Sequence, residues 1–86
     1  MNSQREITSV RVQIFGEEHI VRGSAAPDYI KQLAASIDAR LQEVHASNPL
    51  LPRHQAAILV ALNIANELEQ LKEEHEELLA LLKEAD

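Results

Sequence analysis

The chain contains no cysteine and no tryptophan, two glycines, three prolines and two aromatic residues, Phe15 and Tyr29, in 86 positions. Without cysteine there is no disulfide framework and no thiolate metal site, a composition suited to a reducing cytoplasm. With only Gly16 and Gly23 there is no glycine-rich phosphate loop, and no serine sits in a nucleophile motif. No run approaches the roughly 18 apolar residues that span a bilayer. The opening MNSQREITSV lacks the apolar centre of a secretory signal. These absences lead us to expect a soluble cytoplasmic protein that does not enter a membrane.

Basic clusters are missing as well. The formal charge is −6, and all of it lies at one end: from Glu67 to Asp86 there are eight acids against Lys72 and Lys83, while the first 66 residues balance six acids with six bases. A nucleic-acid binder would show a basic face interleaved with stacking aromatics, so nucleic acid is not an expected partner. His19, His45, His54 and His75 have no ligand spacing among them, and HEEL after His75 is not a zinc-protease motif. No catalytic residue, metal site or cofactor is expected.

What is present is periodic. From Ile7 to Phe15 the residues alternate, with Thr8, Val10, Val12 and Ile14 on one face and Ser9, Arg11, Gln13 and Phe15 on the other, which predicts a half-buried strand. A reversal at Gly16-Glu17-Glu18 and a return strand over His19–Arg22, ended by Gly23, would complete a hairpin that needs a helix to cover it. Pro27 suits a first helical turn. After it Ile30, Leu33, Ala34, Ile37, Leu41 and Val44 form one apolar stripe, opposite Lys31, Gln32, Ser36, Asp38 and Gln42. Ala26 is a weak N-cap, with Ser24 as the alternative, and His45-Ala46-Ser47-Asn48-Pro49 reads as the stop.

Pro52 is expected to open a second helix running almost to the C-terminus, a span of about 50 Å. Its first part, Ala56 to Ala65, is apolar on every side apart from Asn63. Its second part places Leu68, Leu71, His75, Leu78, Leu82 and Ala85 at coiled-coil spacing, continuing from Ala61 and Ile64. A chain of this length buries only about 60 to 65% of its unfolded surface, so the apolar helix needs a second copy. The expected fold class is α+β: a small ββα head followed by a long C-terminal coiled-coil helix, in an obligate homo-oligomer with no stable folded monomer. Residues 1–66 would form the head, including the buried first half of the second helix, and residues 67–86 the coil. Ile58, Leu62, Ile64, Leu68, Leu71, His75, Leu78 and Leu82 are the expected oligomerisation residues. His75 sits where a polar group would set register or partner number, or reach out to the coil edge.

Several stretches together carry a resemblance: VQIFGEEHIVRG at Val12–Gly23, the helix from Pro27 to Leu41 with its ID.RL ending, Asn48-Pro49, and ALNIANEL at Ala61–Leu68. In this order and spacing the chain resembles the ZapA family of bacterial cell-division proteins. The resemblance implies a homodimer, with dimers joining through their coils in longer members. It also implies binding to the tubulin-like GTPase FtsZ at the mid-cell division site, with cross-linking of its protofilaments and no catalysis. By position it implies filament contacts at Arg40, at Glu17 where some relatives carry a basic residue, and at His45 and His54. Arg22, a charged group of the head, is a further candidate. The competing classes are a generic coiled-coil adaptor or chaperone-like module, and a small regulatory subunit of an enzyme complex.

Overall fold

The computed structural model describes residues 6–84. The order of elements is β1 (Thr8–Ile14), β2 (Glu17–Gly23), α1 (Pro27–Ser47) and α2 (Arg53–Glu84), a two-stranded antiparallel sheet followed by two helices. The chain divides into two compact units, one ending at Leu51 and one beginning at Pro52.

In the first unit, β1 keeps the expected alternation. Val10 and Val12 are buried while Ser9, Arg11 and Gln13 are exposed. These valines join Ile30 and Ala34 of α1 in a small core, with Ile14 packed against it. The register pairs Val10 with Val21, Val12 with His19 and Ile14 with Glu17, so all six share the face that looks toward α1. Helix α1 packs on β1. Strand β2 is exposed along its length except at Gly23. At the open end of the hairpin the Thr8 hydroxyl donates to the Gly23 carbonyl at 3.4 Å.

The reversal differs from the expected one. It is a two-residue turn, Phe15-Gly16, and β2 begins at Glu17. Phe15 has φ 54° and Gly16 φ 80°, the pair of positive φ values that a type I′ hairpin turn requires because its twist matches that of the strands. Phe15 therefore belongs to the turn and not to the outer face of β1. Alternation alone could not reveal this, because a phenylalanine normally avoids positive φ.

Helix α1 also runs further than expected. Proline restricts the residue before it, and here that residue is Asn48 (φ −145°, ψ 79°), so the helix continues through His45 to Ser47. At its start Ala26 stands as N-cap without a side-chain hydrogen bond, so Ser24 does not cap the helix. Asp28 in the first turn complements the helix dipole instead. Ile30, Ala34 and Leu41 of the predicted stripe are buried, Ile37 and Val44 half-buried, and Leu33 exposed. Pro52 lies one step before α2, its carbonyl accepting the Ala56 N–H at 3.0 Å. At about 1.5 Å per residue the 32 residues of α2 span roughly 48 Å.

The two glycines make different demands. Gly16 is held at positive φ, whereas Gly23 is not, and open space surrounds the Cβ position of both. Gly16→Ala is expected to cost about 1 kcal/mol and Gly23→Ala to be neutral or mildly stabilising. Urea denaturation at one fixed protein concentration checks this through the midpoints at unchanged slope.

Candidate protein interaction surfaces

The hairpin tip is the most constrained place in the first unit. A bulky residue at positive φ costs about 1 to 3 kcal/mol unless its surroundings enforce it. Two α1 side chains surround Phe15. Its backbone N–H donates to Oδ1 of Asp38 at 2.6 Å, joining positions 23 residues apart. Its ring meets His45 edge-on, with centroids 5.9 Å apart and planes at 72°, within the favourable range for aromatic pairs. Asp38 and His45 are seven residues apart, two helical turns, and so share one face of α1. Asp38, expected on the solvated face, is half-buried and turned to this task.

Glu17 follows the turn directly. It lies on the same face of the sheet as Val12 and Ile14, and its carboxylate approaches His19 at 3.6 Å. On the outer face Arg11 and Glu18 approach at 3.4 Å. Both pairs are well exposed and contribute little to stability. Their value is in composition: Phe15, Glu17, His19 and His45 gather charge, imidazole and an aromatic edge at one end of the hairpin.

The five predicted contact residues are thus not one cluster. His45 touches the Phe15 ring, and Glu17 follows the turn two residues after Phe15 with its carboxylate toward His19. Arg22 stands near the other end of β2, opposite Ser9 on the outer face, about 17 Å from Glu17 along the strand. Arg40 is half-buried. It lies about 200° around the helix from Asp38, away from the tip. His54 is exposed in the first turn of α2, in the second unit. Phe15 and Asp38 were not among the predicted contacts, since neither an unusual φ nor a bond across 23 residues leaves a local pattern in the sequence.

A second kind of surface is apolar. In the first unit Ile14, Val21, Ile30, Leu33, Ala34 and Ile37 line an open groove. In the second, Ala56 and Val60 are buried and Ile64 is half-buried. Ile58, Leu59 and Leu62 are exposed, as are Leu68, Leu71, Leu78 and Leu82 further along. Leu62 is 63% exposed and Leu82 68%. His75 is exposed in the same row, and Ala85, the last expected seam position, lies outside the described residues.

The seam also changes width. With Ala61 at position a of the heptad, the flanking e and g positions are Glu67, Lys72 and Glu74 in the middle of the series but Leu79 and Leu81 in the last heptad. Both leucines are exposed. They extend the expected set and were readable in the LLALL run. Lys72 and Glu69 approach at 3.6 Å on the exposed flank. Among the described residues no cluster of three or more His, Asp or Glu could hold a metal ion, and no helix is long and apolar enough to cross a membrane.

Comparison with known proteins bears on both surfaces. The family model for cell division protein ZapA matches residues 10–85. Among curated relatives, the cell division protein ZapA of Geobacillus thermodenitrificans is 40% identical over 76 residues, 88% of this chain and 84% of that protein. The ZapA of Halalkalibacterium halodurans is 39% identical over 70 residues, 81% and 77% of the two chains. Among solved structures, a ZapA mutant dimer from Geobacillus stearothermophilus superposes with a TM-score of 0.72 at 32% identity, covering 96% of each chain.

One substitution tests the seam directly. In a paired coil His75→Leu replaces a polar layer by an apolar one worth about 1.5 to 3 kcal/mol per copy when buried. The melting temperature should rise by about 6 °C or more at constant protein concentration. An unchanged melting curve and unchanged mass by light scattering would place His75 outside the contact.

Proposed function

The chain belongs to the ZapA family of cell-division proteins, and on that premise we propose that it binds FtsZ in the cytoplasm and cross-links FtsZ protofilaments at the mid-cell division site. The protein acts as a homo-oligomer, a dimer that can pair again into a dimer of dimers. Residues 1–66 supply the head and residues 67–86 the coil. Bundling promotes assembly and stability of the division ring, and no catalysis is involved.

The observation that carries this reading is the row of exposed leucines along α2. Each seam leucine gains about 1.5 to 3 kcal/mol on full burial, so copies associate through Ile58, Leu62, Ile64, Leu68, Leu71, His75, Leu78 and Leu82. Leu79 and Leu81 widen the stripe in the last heptad, and a stripe broader than a and d suits more than two helices. An oligomer holding several identical heads turns a weak head-to-filament contact into a strong cross-link, because the second contact is made at the high effective concentration set by the first.

The filament contact is assigned to the head. Glu17 and His45 form its centre, Arg40 adds a cation on α1, and Arg22 is a flanking group of the first unit; His54, in the second unit, is proposed as a separate contact. Mixed charges of this kind set orientation and selectivity more than raw affinity.

Co-sedimentation with FtsZ and GTP tests the proposal. Increased pelleting and visible bundles are expected, and their absence at micromolar protein and low salt would favour a generic coiled-coil adaptor. Ile64→Glu with Leu68→Glu should split the oligomer in analytical ultracentrifugation and abolish bundling. Arg40→Glu should leave the sedimenting mass intact and weaken filament binding by about 1 to 2 kcal/mol, a factor of roughly 5 to 30.

A further inference from the structure

We propose that Asp38 is a positioning residue: by accepting the Phe15 N–H it latches the hairpin tip to α1 and holds Glu17 and His45 in the geometry that the filament contact uses. This inference rests on the head-to-FtsZ contact proposed above and adds to it the device that shapes the contact surface.

The strain at Phe15 is the first reason. A phenylalanine at φ 54° stays there only where neighbouring structure outweighs its preference for negative φ. The Asp38 carboxylate at 2.6 Å supplies a strong acceptor, since a carboxylate binds an N–H more tightly than a neutral oxygen does. The His45 ring closes on the Phe15 ring from the same helix face, at 5.9 Å.

The second reason is how little of that end is buried. Strand β2 is exposed from Glu17 to Arg22, and the buried core reaches only as far as Val12, with Ile14 partly covered. A two-stranded hairpin has little stability of its own. Glu17 lies on the hairpin and His45 on α1, so their separation depends on how the tip is tied to the helix. The Asp38 bond is a tie at that point, two residues from Glu17 in one direction and two helical turns from His45 in the other.

A latch of this kind acts through populations. With it closed, nearly every molecule presents the binding geometry. With it open, the competent fraction falls and the apparent dissociation constant rises in proportion. An amide oxygen in the same place keeps an acceptor, though a weaker one, so it should substitute in part for the carboxylate.

Three forms of the full chain separate the outcomes: the unaltered protein, Asp38→Ala and Asp38→Asn. Hydrogen exchange followed by NMR in the unaltered protein should show the Phe15 amide protected. Exchange at the free-peptide rate would overturn the latch without any variant. In Asp38→Ala the Phe15 amide should exchange about tenfold faster or more, as expected for loss of a hydrogen bond to a charged group. FtsZ co-sedimentation should weaken by a similar factor, while oligomer mass and helix content stay unchanged. Asp38→Asn should bind more tightly than Asp38→Ala and less tightly than the unaltered protein, a partial rescue that loss of a merely structural residue would not follow. Where Asp38→Ala does not fold, Asp38→Ser, whose hydroxyl is too short to reach the turn, gives the same readout. Full binding by Asp38→Ala with an opened Phe15 amide, or equal losses in Asp38→Asn and Asp38→Ala, would refute the positioning role and leave the FtsZ assignment standing. Failure of the unaltered protein to pellet with FtsZ would remove that assignment, and this inference with it.

Discussion

The burial of α2 is the constraint on which everything else depends. Apart from Ala56, Val60 and the half-buried Ile64, its apolar residues face solvent in the single chain. At about 25 cal/mol per Å² this surface is a driving force comparable to the whole stability of a small domain. The described residues leave it exposed. The proposed oligomer follows from that exposure, and the proposed cross-linking follows from the oligomer, since covering the seam with identical chains necessarily supplies more than one head.

The head shows the opposite economy. Its core is small, four buried side chains with Ile14 beside them, and it covers only one strand of the hairpin. What it lacks in buried area it makes up in specific ties at the tip, where a strained backbone, a carboxylate and an imidazole meet. Strain retained against such a modest core is informative. Asparagine or glycine would relax the turn, and what the structure sets against the strain at Phe15 is the Asp38 bond and the His45 ring contact.

Legibility in the sequence tracked the range of the interaction. The alternation from Thr8 to Ile14 and the three-and-four spacing from Ile30 to Val44 are local repeats, and both elements formed on the faces those repeats indicated. The long second helix was equally clear, because nothing between Arg53 and Glu84 breaks it. The turn begins one residue before the pattern indicates, since Gly16 advertises positive φ and Phe15 conceals it. Helix α1 outlasts the stop that the sequence suggests, because Pro49 constrains Asn48 and not the residues before it. Of the proposed contact residues, Glu17 and His45 follow from resemblance; the structure sets one beside the hairpin turn and the other against the Phe15 ring. Asp38 was hidden on an apparently solvated face, and a side chain's partner 23 positions away cannot be read from spacing.

Charge placement adds the last constraint. The first 66 residues are together neutral and the net charge of −6 is carried by the segment after them. On α2 the acids occupy the outer positions, Glu69, Glu73, Glu76, Glu77 and Glu84, along with the flanking Glu67 and Glu74. At physiological salt their repulsion reaches about 8 Å, far enough to oppose sideways packing of helices by their outer faces but not to oppose contact along the leucine row. Where Leu79 and Leu81 replace charged flanks, that opposition lapses on the inner side as well. The apolar row thus says that α2 must pair, while the acids restrict the pairing to one face and leave the widest contact to the final heptad. A neutral head, free of that repulsion, is the part of the chain best able to approach another protein closely.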